Sequence, residues 1–264
     1  MLEILLGFFG LLIGSFLNVC IYRWPRDLSV VRPARSQCPE CGHQIDWYDN
    51  IPLVSYVLLR ACCRHCRARI HWRYPLVELL TAACFFWAGA QLGLTLATAK
   101  FCIFAAMIIG LMFSDLDMLI LPDEFTIGGI IVGLGLALLV PVPALFSLGP
   151  ESRTASLAES AIGAFVPAGA LWLMGWLFEK IRRKEGLGFG DVKMIAMIGA
   201  FLGIRGALLT VVLGSVLGSV IGLAYIKLTK RDTATYQLPF GTFLGVAALI
   251  AAMTGEGLMS WYGR

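Results

Sequence analysis

Runs of roughly twenty apolar residues recur from one end of this chain to the other, each long enough to cross about 30 Å of hydrocarbon as a helix. In lipid every backbone polar group needs an internal partner, so only helices and closed barrels span. The runs lack the period-two alternation of barrel strands. With 58% hydrophobic and 14% charged residues over 264 positions, the chain carries far less charge than a soluble domain. The expected fold is all-α: a polytopic membrane protein whose main partner is the lipid bilayer.

About eight spanning helices are expected, near 4–22, 76–94, 98–114, 125–142, 157–178, 192–204, 207–228 and 240–259. The sixth is the shortest and joins the seventh through Gly203-Ile204-Arg205-Gly206. The first reads as a retained helix rather than a signal peptide, because Glu3 precedes it and Arg23 and Arg26 follow it. A formal charge of +4 gives no footprint for nucleic acid, and no nucleic-acid partner is expected.

Where the cations lie sets orientation. Seventeen of the 21 Lys and Arg residues fall in or beside the segments after helices one, five and seven, including Arg60, Arg64, Arg67, Lys184, Lys193, Lys230 and Arg231. The other side holds Lys100, Arg153, Arg205 and Arg264. The positive-inside rule then puts both termini outside and the basic segments in the cytoplasm. The outer segment from Pro141 to Ser156 is rich in Pro, Ser and Gly and offers no chemistry. No internal repeat appears.

The chain is read as a first helix over 1–22, a cytoplasmic insertion over 23–75 and a seven-helix membrane core over 76–264. The insertion carries Cys38-Pro39-Glu40-Cys41 and, after a 21-residue spacer, Cys63-Arg64-His65-Cys66. Two C-x-x-C pairs at this spacing read as a four-thiolate Zn2+ site with Cys38, Cys41, Cys63 and Cys66 as ligands. So small a segment cannot bury enough apolar surface to fold alone, and a structural metal would supply the missing core. The competing reading, two disulfides, conflicts with a cytoplasmic location. Cys62 is an alternative to Cys63, and His43 and His65 are possible substitutes read as bystanders. Cys20, Cys84 and Cys102 lie inside helices and act as small hydrophobes. The stretch Trp47-Tyr48 through Leu59 is too short to span, and forms either the insertion's core or a segment on the membrane surface, the second being favoured.

Two acidic stretches break the apolar pattern on the cytoplasmic side: Ser114-Asp115-Leu116-Asp117 through Pro122-Asp123, and Gly186-Leu187-Gly188-Phe189-Gly190-Asp191. Carboxylates beside spanning helices face a cavity or a site by default. Asp123 follows Pro122 before helix four and reads as its N-cap. Asp115 and Asp117 are two apart, about 200° on a helix, so only one can face a given partner. The glycines before Asp191 permit an extended, cavity-lining backbone that admits both peptide and water. One Asp from each stretch could form a dyad sharing a proton, one member activating water and the other hydrogen-bonding a scissile carbonyl. No serine–histidine pair or H-E-x-x-H motif competes, and the three His all lie in the insertion.

These residues resemble the type IV prepilin peptidases of bacteria along nearly the whole chain. The resemblance runs through Gly14-Ser15-Phe16-Leu17-Asn18-Val19, both cysteine pairs, Trp47 to Pro52, Tyr74-Pro75-Leu76-Val77-Glu78, Asp115 to Asp123, Gly188-Phe189-Gly190-Asp191 and Pro239-Phe240-Gly241. The G-x-G-D run alone is shared with other intramembrane aspartyl proteases such as presenilin. The resemblance implies an aspartic endopeptidase of the bacterial inner membrane that removes the basic leader of prepilin or pseudopilin substrates at the cytoplasmic face. It places the catalytic pair on Asp115 and Asp191, with Asp117 and Asp123 as accompanying acids. It also implies N-methylation of the new terminus with S-adenosylmethionine, for which no site residue is assigned, and polar roles within the bundle for Asn18 and Glu78.

Two other classes compete. An ion-coupled transporter would use the same carboxylates, but it calls for charges near the bilayer midplane and paired broken helices. A scaffold docking a partner through its zinc segment leaves the G-x-G-D run unexplained.

Overall fold

The structure, a computed structural model, describes residues 1–33, 35–141, 153–183, 188–229 and 238–262. Gly186, Leu187, Lys184, Lys230, Arg231, Arg264 and most of the outer segment before Arg153 lie outside the described residues. The described chain is helical: α1 (Leu2–Arg23), α2 (Val54–Leu58), α3 (Arg73–Leu92), α4 (Leu96–Met118), α5 (Asp123–Ala137), α6 (Arg153–Arg182), α7 (Phe189–Thr229) and α8 (Phe240–Tyr262). Among the described residues the only β pairing is two isolated bridges in the insertion, Gln37 with Gln44 and Cys62 with Arg69.

Among the described residues five segments are long and apolar enough to cross a membrane: Leu2–Arg26, Arg73–Leu92, Leu96–Met118, Arg153–Arg182 and Phe189–Tyr225. The last is broken at Gly203, whose φ of 72° and ψ of −177° leave the helix, so the two expected helices meet where their glycine joint was placed. Together with α5 and α8 this accounts for the eight expected segments. The protein is an all-α, multi-pass membrane protein.

The chain divides into two compact units, Met1–Phe113 and Ser114–Arg264. In the first, α1 and α3 meet along a seam of small residues. A Cβ on Gly10 would sit 2.7 Å from the Ala82 Cα, and one on Gly14 would sit 2.6 Å from the Glu78 Cα, so only glycine allows this approach. Close backbone packing of this kind associates helices in lipid, where hydrophobicity gives no preference for protein over acyl chains. The opposite side of α1 exposes Ile4, Leu5, Phe8, Leu12 and Phe16, a stripe suited to lipid. Asn18 Nδ2 donates to the Tyr74 carbonyl at 3.0 Å, and Glu78 Oε2 accepts the Leu53 N–H at 2.8 Å. The two polar residues singled out inside the helices thus tie α1 and the insertion to α3.

Arg23 organises the chain leaving α1. It is buried, and its Nη1 donates to the carbonyls of Ser29, Val30 and Pro33 at 2.9–3.0 Å, with Nη2 reaching Arg35 O at 3.3 Å. A residue counted for its charge is therefore also the hub of a loop, using the fork of donors that only Arg presents.

In the second unit, α7 is the central helix. Its first part, residues 189–202, packs against α5, where Gly133 faces the Phe201 ring, and against α6, where Gly163 and Gly199 bring the two backbones together. Its later part packs against α8, with Gly214 opposite Leu244 and Gly218 opposite Phe243. The consequence is that α7 is braced along its length by three neighbouring helices.

Candidate active site and metal knuckle

Asp115 lies one turn further inside its helix than the sequence suggested. The expected end at Ser114 is overrun, and α4 continues to Met118. Continuing a helix with a buried carboxylate needs donors, and α8 supplies them. The Thr242 N–H reaches Asp115 Oδ2 at 2.7 Å and the Thr242 hydroxyl reaches the same oxygen at 3.1 Å. Thr242 stands in the first turn of α8, where backbone N–H groups lack intrahelical partners and favour an anion. Asp115 is 5% exposed, whereas Asp117 faces out, so the 200° argument resolves in favour of Asp115.

Asp191 sits in the first turn of α7, half-buried, with its own N–H on the Gly188 carbonyl at 3.1 Å. Its carboxylate is within electrostatic reach of Asp115. Leu121 packs between the two sides: a Cβ on Gly190 would sit 3.2 Å from the Leu121 Cβ, and one on Gly241 would sit 3.1 Å from Leu121 Cδ2 and from Asp115 Oδ2. A Cβ at Gly241 would press on Asp115 and Leu121 and one at Gly190 on Leu121, so the two glycines let these side chains pack closely beside the acidic pair. The ends of α4, α7 and α8 thereby bring Asp115 and Asp191 together.

Asp123 is not the helix cap that was expected. Pro122 holds the N-cap position, Asp123 is the first residue of α5, and no side chain caps the helix. The Asp123 carboxylate instead pairs with the Lys193 ammonium in the first turn of α7. The proline's fixed φ shifts the cap back by one residue, and Asp123 still lies favourably at the positive end of the helix.

The four cysteines assemble in the first unit. Their sulfurs all lie within 4.8 Å of one another, and Cys38 Sγ is 3.8 Å from Cys66 Sγ. A tetrahedron with metal–sulfur bonds of about 2.3 Å has edges of about 3.8 Å, so the cluster has the dimensions of a four-thiolate site.

The two turns that present these sulfurs are built alike. The Cys38 N–H donates to His43 O at 2.9 Å and the Cys38 carbonyl accepts from Gly42 N at 2.9 Å. Equivalently, the Cys63 N–H donates to Ala68 O at 2.8 Å and its carbonyl accepts from Arg67 N at 3.1 Å. The residue four after each leading cysteine has a positive φ, 68° at Gly42 and 60° at Arg67. This correspondence makes Cys63, not Cys62, the partner of Cys38. Backbone N–H groups of Cys66 and His65 lower the Cys63 thiol to about 7, while Cys66, although drawn down by the Ala68 N–H, is pushed up to about 12 by burial and the sulfurs of Cys41, Cys63 and Cys38, as crowded thiols are. The rings of His43 and His65 stack with centroids 3.4 Å apart, outside the sulfur cluster.

The spacer is fastened to the second turn by a two-point ion pair, Arg64 Nε to Asp49 Oδ2 at 2.7 Å and Nη2 to Oδ1 at 2.5 Å. This partner holds the Asp49 carboxyl below its ordinary range. The apolar stretch 51–59 is not the core of the insertion: Val57 and Leu58 are 72% and 76% exposed.

Sequence reasoning missed two functional neighbours, Thr242 and Lys193. Lys193 was counted only as a cation, though its place two residues after Asp191 was visible. Thr242 had a faint signal, since it follows the Pro239-Phe240-Gly241 run at the start of a helix.

The fold and these clusters define a class: a multi-pass membrane protein with an acidic pair framed by glycines and a separate four-cysteine cluster of a size that could hold a metal ion. Residues 8–92 match the family model of the bacterial peptidase A24 N-terminal domain, and residues 102–223 match that of the type IV leader peptidase family. Similar proteins include three named prepilin leader peptidase/N-methyltransferase. That of Aeromonas hydrophila is 35% identical over 277 residues, covering 96% of this chain and 91% of the relative. That of Pseudomonas aeruginosa is 33% identical, with 96% and 90% covered. That of Myxococcus xanthus is 41% identical over 222 residues, covering 84% of this chain, which spans 62% of that relative's length. No solved structure matches. The chain belongs to the type IV prepilin leader peptidase family.

Proposed function

We propose that this protein is a membrane aspartic endopeptidase that cleaves the leader from prepilin or pseudopilin substrates at the cytoplasmic face of a bacterial inner membrane. It then N-methylates the new terminus with S-adenosylmethionine. The observation that carries the peptidase reading is the convergence of Asp115 and Asp191 at three helix ends, in a chain of this family. Asp115 and Asp191 are the catalytic pair. The ionised member takes a proton from a water whose oxygen attacks the scissile carbonyl, while the protonated member hydrogen-bonds the carbonyl oxygen. Collapse of the tetrahedral intermediate breaks the C–N bond and passes a proton to the leaving amine. That leaves a carboxylate on the leader and a free amine on the mature chain.

Charge placement supports the orientation with both termini outside and the 23–75 insertion in the cytoplasm. The insertion is a zinc-binding unit, and residues 76–264 form the membrane core. Cys38, Cys41, Cys63 and Cys66 hold a structural Zn2+, which cross-links two turns that share almost no core. Methylation rests on membership of the family, and no cluster among the described residues marks a place for the methyl donor.

The test is mass spectrometry of a prepilin N-terminus after incubation with purified protein, which reads cleavage and methylation together. Asp115→Asn and Asp191→Asn should fold, bind substrate and leave it uncut. Full cleavage by either variant would overturn the catalytic assignment.

A further inference from the structure

The stretch from Trp47 to Leu58 has an unusual combination of properties. It is largely apolar, it belongs to no core, and it is hydrogen-bonded to a spanning helix. Trp47–Asn50 forms a 3-10 turn and Val54–Leu58 a single helical turn. Ser55 is buried inside the fold of the segment, accepting the Ile51 N–H at 3.0 Å and donating to Tyr48 O at 2.8 Å. The side chains turned the other way are Trp47, Val54, Val57 and Leu58, with Trp47 75% exposed. Val54, Val57 and Leu58 stand at i, i+3 and i+4, so they share one face.

Glu78 sets the depth. It accepts the Leu53 N–H at 2.8 Å and holds Leu53 in a backbone conformation with φ of 58°, which leucine rarely adopts. Glu78 is six residues beyond Trp72, about 9 Å along the helix axis. Its side chain leans back towards the N-terminus of α3, as helical side chains do. Trp72 itself is exposed at the start of α3, the position where tryptophan marks the headgroup level. Leu53 is therefore pinned at or just below that level, and the exposed apolar face beside it continues the lipid-facing surface of the helices. Arg60, exposed just after Leu58, lies where an anionic headgroup would meet it.

We propose that residues 47–58 lie in the membrane interface, with Trp47, Val54, Val57 and Leu58 against acyl chains, and that the Leu53–Glu78 bond holds them there. The lipid leaflet at the Arg73 end of α3 is the occupant of this face. The segment thereby moors the cysteine knuckle to the membrane, whatever reaction the carboxylates perform.

The test uses the full chain in phosphatidylethanolamine–phosphatidylglycerol vesicles. A photoreactive benzoylphenylalanine replaces Val57, and in a control protein it replaces Glu40, exposed on the knuckle. After illumination, intact-mass spectra should show phospholipid adducts at position 57 several-fold above those at position 40. In parallel, lipids brominated near the top of the acyl chain should quench the tryptophan emission of the parent more than that of Trp47→Phe. Equal lipid labelling at the two positions, adducts at 57 to a second copy or another protein in place of lipid, or unchanged quenching in Trp47→Phe would each overturn the proposal.

Discussion

Replacing Thr242 by valine tests how the acidic pair is organised. Valine keeps the shape and β-branching of threonine, so α8 starts as before and the Thr242 N–H stays 2.7 Å from Asp115 Oδ2. What is lost is the hydroxyl on the same oxygen at 3.1 Å. A hydrogen bond to a charged acceptor contributes about 1.5–3 kcal/mol, and this one is longer than the usual O–H···O distance. The loss should therefore fall near the low end, about 1–2 kcal/mol, a factor of roughly 5–30. With two donors on Oδ2, the carboxylate is held in one orientation. Removing one donor lets the carboxylate rotate out of that arrangement.

The expected outcome is a kcat for prepilin cleavage reduced by about 5- to 30-fold with KM little changed, because the hydroxyl touches the acid and not the peptide. Thr242→Ser should recover most of the rate. A valine variant with parental kcat and KM would refute the reasoning, and so would a loss that serine fails to restore. Asp115→Asn run beside them separates the questions. If it cleaves, the acid is misassigned; if it is inactive while the valine variant is unimpaired, only the role of Thr242 is wrong.

Gly199→Ala drives a methyl into the Gly163 backbone, so α6 and α7 must separate; overpacking of this kind costs about 1–3 kcal/mol and should lower the midpoint of detergent unfolding. Cys63→Ser should lose the metal while Cys62→Ser keeps about one zinc per chain by elemental analysis, following the paired turns. The Asp49–Arg64 pair gives a pH signature. Because Asp49 is held below its ordinary range, its contribution is present above the unfolded value near 4 and disappears as pH falls through the folded one. Protease resistance of the insertion should therefore be flat from about pH 7 to 5 as far as this pair is concerned, and Asp49→Asn should remove any acid-side step below about pH 4.

The membrane helices were legible because lipid leaves the backbone no alternative, and even the joint at Gly203 could be read from Gly203-Ile204-Arg205-Gly206. Illegible features all depend on a partner far along the chain. The apolar run ends at Ser114, and the helix carries a buried carboxylate for another turn because Thr242, 127 residues beyond Asp115, supplies donors to it. Asp123 looked like a cap because its partner Lys193 lies 70 residues away. The choice between Asp115 and Asp117 was visible as a geometric exclusion, but which of them turned inward was not.

The knuckle is the opposite case. Its ligands are legible from spacing, which favours Cys63 over Cys62 because only Cys63 completes a C-x-x-C pair with Cys66; the hydrogen-bond pattern of the first turn, repeated in the second, points to the same residue. The repeat is chemically imperfect. Gly42 adopts its positive φ without penalty, whereas Arg67 holds the same conformation at a cost of roughly 1–2 kcal/mol. Little apolar burial in the second turn offsets that cost, since residues 64–67 are exposed. A four-thiolate metal contributes about 10–16 kcal/mol of binding free energy in small zinc domains, far more than the strain. The strain at Arg67 is therefore well within what a metal held by these four thiolates would offset.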